Sequence, residues 1–259
     1  MAFEIELQLA RELGHAAGQL ALEHMRRGIT AEDKDDGSPV TIADRECERL
    51  IAGRLQQVFP EDGLLGEEGS QKETPNRRRW IIDPIDGTRD FLRGNHLWCN
   101  LIALETADVV EVGVCTFPML GESYWAVRGG GAWMTAGGET TRLHASRITE
   151  PRRAVIGISG LERILTLPDP ERFLPFLARF GVVRSLGGAL DAMSVCAGRS
   201  EIWYEPAAKP WDLAVVQVLA HESGVRFFDH TGVDTIYGGS AVLCAPAFEP
   251  AVRAFLGLA

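Results

Sequence analysis

The chain has no uncharged apolar run long enough to cross a bilayer, and its first 28 residues carry charges throughout. Neither a membrane span nor a secretory leader is therefore expected. It also lacks an excess of positive charge. With 36 acidic against 26 basic residues its net charge is −10, which disfavours a surface for nucleic acid or anionic lipid. The five cysteines, Cys47, Cys99, Cys115, Cys196 and Cys244, are odd in number and form no Cys-x-x-Cys pair. That argues against a disulfide framework or a structural zinc site and for packed thiols in a reducing, cytoplasmic setting. No internal repeat, low-complexity tract or long linker interrupts the 259 residues. What remains is an ordinary globular composition, 46% apolar and 24% charged, with chain enough for one large domain or two closely packed ones.

The rhythm of the chain changes near residue 145. Residues 1–145 read as an α+β half, and residues 146–259 as an α/β half. The first half opens with an amphipathic helix over 1–28, with Ile5, Leu9, Leu13, Ala16 and Leu20 on its apolar stripe. A polar, turn-rich loop follows at 30–39, then a second helix capped by Thr41, with Asp44 in its first turn, running to about Gln57. A short strand at 64–68 ends in Glu67 and Glu68, and a polar, basic loop at 72–79 leads into a strand at Trp80. The β-rich runs 97–105, 109–117 and 122–127 predict an antiparallel meander before the Gly129–Gly131 turn. Beyond it, strands at 154–158, 182–185, 201–205, 225–229 and 241–245 alternate with helices at 170–180, 189–197, 211–223 and from Phe248. Such alternation implies a mixed or parallel sheet with helices laid on it.

The stretch Trp80-Ile81-Ile82-Asp83-Pro84-Ile85-Asp86-Gly87-Thr88 carries the most chemistry. A buried strand runs into a turn, which leaves two carboxylates at the end of a rigid element. Two anions held close repel, and their natural complement is a hard divalent cation with oxygen ligands. The Asp-Gly turn can aim backbone N–H groups at an anion. A cation site beside an anion nest is what phosphate chemistry requires. Glu67, Glu68, Asp44 and Asp212 stand at other element ends and are the available partners, though each alone reads equally as a solvated acid or a helix cap.

Taken in order along the chain, these segments resemble the inositol monophosphatase family of metal-dependent phosphatases. Five of them match: Lys34 with Pro39-Val40-Thr41-Ile42-Ala43-Asp44; Gly66-Glu67-Glu68; Asp83-Pro84-Ile85-Asp86-Gly87-Thr88; Ser185-Leu186-Gly187-Gly188-Ala189; and Glu205 followed by Trp211-Asp212. The resemblance implies a layered αβαβα sandwich, a homodimer, and two to three Mg²⁺ ions per site, with Mn²⁺ able to substitute. By that resemblance Glu67, Asp83 and the Ile85 carbonyl hold one Mg²⁺, while Asp83, Asp86 and Asp212 hold a second. A third, weaker ion sits near Glu67 through waters, close to Lys34. Thr88, hydrogen-bonded to Asp44, would orient the attacking water. The N–H groups of Gly87 and Thr88 would bind phosphate oxygens, and the second ion would stabilise the leaving alkoxide.

Three branches of the family are plausible for the substrate: histidinol phosphate, inositol phosphate and adenosine bisphosphate hydrolases. Asp90 stands where the inositol branch usually has Asn, His96 where Pro is frequent, and Lys209-Pro210 replaces a Gly-x-His-x lead into Trp211-Asp212. These departures favour the histidinol-phosphatase branch. Charge points the same way, since a substrate bearing an ammonium and an imidazole asks for acids. Asp90, Asp191 and Glu205 are the candidates, with Gly187, Gly188, Ala189 and Lys209 in the surrounding loops. The run Arg77-Arg78-Arg79 would suit the bulkier, more anionic substrate only if it faced the cleft. The complete set Glu67, Asp83, Asp86 and Asp212 argues against a purely non-catalytic binding partner.

Overall fold

The computed structural model describes residues 2–34, 37–73, 76–165, 167 and 169–258. The first helix, α1 (Glu4–Arg27), buries Leu9, Leu13, Ala17 and Ala21. The expected stripe was rotated: Ile5 is 67% exposed and Ala16 also faces outward. Small residues decide the face. A Cβ on Gly14 would lie 2.6 Å from Thr116 Oγ1, and one on Gly18 would lie 2.6 Å from Pro118 Cγ. The helix lies too close to the strands beneath for any larger residue there. The stretch expected as a loop forms a small antiparallel hairpin, β1 (Ala31–Asp33) with β2 (Pro39–Thr41). β1 is exposed along its whole length, so no apolar alternation marks it in the sequence. Helix α2 (Ile42–Val58) begins as expected. The Thr41 hydroxyl accepts the Asp44 amide at 3.3 Å, and Asp44 accepts the Thr41 amide at 2.8 Å.

Eight strands form the first sheet: β3 (Gly63–Gly66), β4 (Gln71–Lys72), β5 (Arg78–Asp86), β6 (Cys99–Thr106), β7 (Val109–Phe117), β8 (Glu122–Val127), β9 (Gly131–Ala136) and β10 (Glu139–Arg142). Their order is β10-β9-β8-β7-β6-β5-β3-β4, antiparallel throughout except for the parallel pair β3 and β5. The hairpin of β9 and β10 was not expected, because β10 (Glu-Thr-Thr-Arg) is exposed at every position. A short helix, α3 (Thr88–Leu92), follows β5 directly.

The second sheet contains β11 (Val155–Ile158), β12 (Val182–Arg184), β13 (Ile202–Glu205), β14 (Arg226–Phe228) and β15 (Ala241–Cys244), in the order β12-β11-β13-β15-β14. It is mixed: β12, β11 and β13 run parallel, while β15 is antiparallel to both its neighbours. The helices of this half are α4 (Leu161–Ile164), α5 (Phe173–Leu177), α6 (Gly188–Cys196), α7 (Pro210–Ser223) and α8 (Glu249–Leu256). The helix expected over 170–180 is shorter, with a 3-10 turn at Pro170–Arg172 before α5.

Three apolar layers hold these pieces together. Leu13, Ile51 and Leu55 of α1 and α2 pack on Trp80, Ile82 and Ile102. Met193, Val215 and Val216 of α6 and α7 pack between the sheets, against Ile81, Leu101 and Leu243. Phe173, Phe176 and Phe248 cover the far face of the second sheet against Ile156, Tyr204 and Val242. The result is an αβαβα sandwich. Both middle elements announce their burial in sequence. β5 reads as a continuous apolar run because Trp80 and Ile82 face one core and Ile81 the other. α7 is buried at every position from Leu213 to Ala220, as a helix apolar all round must be. It presses on β7 at Gly113, where a Cβ would lie 2.6 Å from Val218 Cγ1.

Candidate active site

The site forms where β5 stops being regular. Its register against β6 shifts between Asp83 and Asp86. Pro84 cannot donate to a ladder, so the strand bulges there. The Asn100 side-chain amide, buried on β6, donates to the Pro84 carbonyl and holds the bulge. Gly87 then turns the chain with φ 89°, and a Cβ at that position would also meet the Leu97 carbonyl at 3.2 Å. Strand bulge and glycine turn together aim Asp83 and Asp86 to one side.

Asp212, third residue of α7, completes the cluster. One carboxylate oxygen from each of Asp83, Asp86 and Asp212 lies within 4.8 Å of the others. Asp86 and Asp212 are each held by the scaffold. Asp86 Oδ2 accepts the Ala189 amide at 3.1 Å and the Cys99 thiol at 3.8 Å, and Asp212 Oδ2 accepts the Lys209 amide at 2.7 Å. Asp83 is 2% exposed, and its buried Oδ1 has no hydrogen-bond partner among the described residues. Burial, reinforced by the charges of Glu67, Asp86 and Asp212, pushes the Asp83 carboxyl far above the ordinary carboxylate range. Burial likewise raises Asp86 to about 6 and Asp212 to about 8, the neighbouring carboxylates adding to it. An orphaned buried oxygen inside a cluster of hard oxygen donors fits a divalent cation of the Mg²⁺ type.

Glu67 stands in the turn after β3, close enough to Asp83 for its charge to add to the upward shift of that carboxyl. Lys34 reaches over from the first hairpin and donates to Glu67 Oε1 at 2.8 Å and to Glu68 Oε1 at 2.6 Å. Burial alone would lower the Lys34 ammonium, but the two carboxylates outweigh it and hold it above its ordinary value. Burial pushes Glu68 up to about 7 against the Lys34 contact. Thr88 Oγ1 lies 3.2 Å from Asp44 Oδ1 and 3.2 Å from the Ile85 carbonyl, with Asp44 fully buried beneath. The structure thus gathers Lys34, Asp44, Glu67, Asp83, Ile85, Asp86, Gly87, Thr88 and Asp212 around one point.

The loop before α6 closes the site's far wall. Gly188 has φ 31°, and a Cβ there would lie 2.8 Å from Asp86 Oδ2. Glu205, 8% exposed at the end of β13, accepts the Ala207 amide at 3.2 Å. Burial lifts it to about 7. Asp90 is half-buried, with Oδ1 accepting the Asn95 amide group at 2.8 Å and Oδ2 turned toward Gly187.

Two candidate residues are placed differently from the expectation. Asp191 is 4% exposed and accepts the Leu186 and Gly187 amides at 2.8 and 3.1 Å. It braces the loop from behind, where a substrate cannot reach it. Lys209 engages through its backbone amide, with its side chain at the exposed rim.

A cleft of about 480 Å³ opens beside the carboxylates, lined by Asp86, Asp212, Glu205, Arg89, Glu162 and Arg163. The last three escaped the sequence reading. Arg89 was legible as part of the Asp83–Asp90 segment. Glu162 and Arg163 sit in a segment with no motif, and only the pairing of β11 with β13 brings them to the cleft. Arg163 Nη1 donates to the Ala207 carbonyl at 2.9 Å and so links the two cleft walls. A larger groove of about 800 Å³ runs between α1 and the β7–β8 turn but contains none of these residues.

The model of the inositol monophosphatase family matches residues 5–255. A histidinol-phosphatase of Chlorobaculum parvum is 39% identical over 93% of this chain and 92% of its own. One of Mycobacterium tuberculosis is 37% identical over 92% of each. Among solved structures, the Thermotoga maritima IMPase superposes with a TM-score of 0.86 at 26% identity, covering 97% of this chain and 96% of that one. Fold, segment order and the converging carboxylates agree with these likenesses. This chain belongs to the inositol monophosphatase family and is a phosphoric monoester hydrolase.

Proposed function

We propose that the protein hydrolyses histidinol phosphate in a Mg²⁺-dependent reaction. The observation that carries this reading is the acidic end of the cleft. Glu205 is buried there without an ion pair among the described residues, and Glu162, 3.9 Å from Arg163, stands at the same mouth. A substrate head carrying an ammonium and an imidazole would pair with Glu205, whereas a neutral polyol would offer it no counter-charge. The full-length likeness to two histidinol-phosphatases supports it.

Glu67, Asp83, Asp86, Asp212 and the Ile85 carbonyl would hold two to three Mg²⁺ ions, with Mn²⁺ as a substitute. Bound there, the ions would supply charge neutralisation and an acidified water. The chain's own groups do the rest. With Asp44 accepting the Thr88 proton, the Thr88 oxygen is left free to accept from a water and to hold it in line with the phosphorus. The Gly87 and Thr88 amides, at the start of α3, would donate to the phosphate oxygens. Lys34 secures Glu67 and Glu68. Asp83, Asp86 and Asp212 would hold a cation that stabilises the departing alkoxide.

The same reading includes a homodimer working in the cytoplasm. Val182 and Val183 on the edge strand β12 are 40% and 46% exposed, a surface suited to a second copy. Light scattering of the purified protein tests that part. For the substrate, phosphate release is compared for histidinol phosphate, inositol 1-phosphate and adenosine 3′,5′-bisphosphate at matched Mg²⁺. A preference in kcat/KM for histidinol phosphate of about 100-fold, near 2.7 kcal/mol, is expected. Preference for inositol 1-phosphate would overturn the substrate assignment.

A further inference from the structure

Glu48 has no place in the chemistry described above, yet it is 2% exposed and ionisable. It lies on α2 one turn beyond Asp44, so both point from the same helix face toward the site. Its carboxylate accepts two backbone amides across the fold, Glu68 at 2.7 Å and Ser70 at 2.8 Å. These are the amides of the turn that presents Glu67 and Glu68. The contact is close: a Cβ on Gly66 would lie 2.5 Å from the Glu48 carboxylate. The glycine that opens Gly66-Glu67-Glu68 is thus the residue that leaves room for it. The turn is pinned on its other side by the Glu67 amide, which donates to the Ile82 carbonyl at 3.1 Å.

We propose that Glu48 is a positioning residue for cation binding, fixing through the turn at 66–70 where the Glu67 carboxylate meets Asp83. The proposal rests on the reading of Glu67 as a cation ligand. It makes α2 a single rigid carrier of two adjustments, Asp44 orienting Thr88 and Glu48 orienting Glu67. Charge-assisted bonds to backbone amides are strong and directional, so the carboxylate, more than the helix, sets the turn. Removing an outer partner of a ligand typically costs 10–100-fold in metal affinity.

The test is Mg²⁺ binding by calorimetry to the full chain and to Glu48→Gln, Glu67→Gln and the double variant, with amide exchange of Glu68 and Ser70 followed in parallel. Gln keeps the shape and one acceptor oxygen but presents an NH₂ to one of the two amides. Glu48→Gln is expected to weaken Mg²⁺ binding about 10-fold or more and to speed exchange of both amides. The double variant is expected to bind no more weakly than Glu67→Gln alone, because the effect runs through Glu67. Turnover at saturating Mg²⁺ should fall much less than affinity. Weakened binding in Glu67→Gln but not in Glu48→Gln would overturn the proposal alone. Unchanged binding in both would overturn the reading of Glu67 and the proposal with it. Should Glu48→Gln fold poorly, Glu48→Asp, which keeps the charge on a shorter arm, carries the same comparison.

Discussion

At the residue scale, the site depends on places where a side chain is missing. Gly188 lets the loop before α6 pass beside Asp86, with a backbone φ of 31° and 2.8 Å between the carboxylate and a would-be Cβ. Gly188→Ala should therefore push Asp86 off its position and lower kcat by about 10-fold or more, roughly 1.4 kcal/mol. Circular dichroism should show the fold retained. Steady-state kinetics checks it, and unchanged turnover would show that the loop gives way instead. The three clustered carboxylates stood out in sequence because each stands at the end of a patterned element: Asp83 and Asp86 after an apolar strand, Asp212 after Trp211 at a helix start. Asp191 was not legible in its true role. An acid in the first turn of α6 looks the same whether it faces solvent or caps a loop, and only the amides of Leu186 and Gly187 decide between them.

At the element scale, α7 does most to place the site, since it carries Asp212 while lying against the first sheet. Its contact with β7 is set by Gly113, where a Cβ would come 3.1 Å from Val215 Cα as well as 2.6 Å from Val218 Cγ1. Gly113→Val should overpack this seam and destabilise the protein by about 1–3 kcal/mol. A lowered Tm checks it, and Mg²⁺ affinity should fall with it, because the start of α7 is displaced. Most helices and buried strands could be read from sequence, by an apolar period or, in β5 and α7, by a near-continuous apolar run. β1 and β10 could not: exposed on both faces, they also lack the valines that mark the equally exposed β12. The rotation of α1 escaped for a different reason. Gly14 and Gly18 bury a face by close approach, and hydrophobicity alone cannot announce that.

At the scale of the whole molecule, the acids near the cleft should make stability depend on pH and on bound cation. Burial holds Asp86 near 6 and Asp212 near 8, above their unfolded range, so the folded chain binds more protons than the unfolded chain around neutrality. Their contribution to metal-free stability is present at low pH and is lost as pH rises through about 6 to 8. A divalent cation bound at the cluster would relieve the repulsion that deprotonation creates. The gain in Tm on adding Mg²⁺ should accordingly widen from pH 6 to pH 8, with protons released on binding at the lower pH. Differential scanning calorimetry with and without chelator checks it, and a gain independent of pH would count against this cluster as the cation site. Among the described residues no helix is long and apolar enough to cross a membrane.

The convergence of Asp86 and Asp212 also bears on how the chain comes apart. One acid ends a strand of the first sheet and the other begins a helix that follows the second sheet's central strand, with most of the intervening sequence folded between them. All five cysteines are free and buried, so no covalent tie spans that distance. An ion gripped from both ends would act as a reversible clasp on a very long loop, limiting the entropy the chain gains as it opens, as a disulfide does elsewhere. Where that clasp is formed late in folding, its main effect is on the lifetime of the native state, with little on the speed of reaching it.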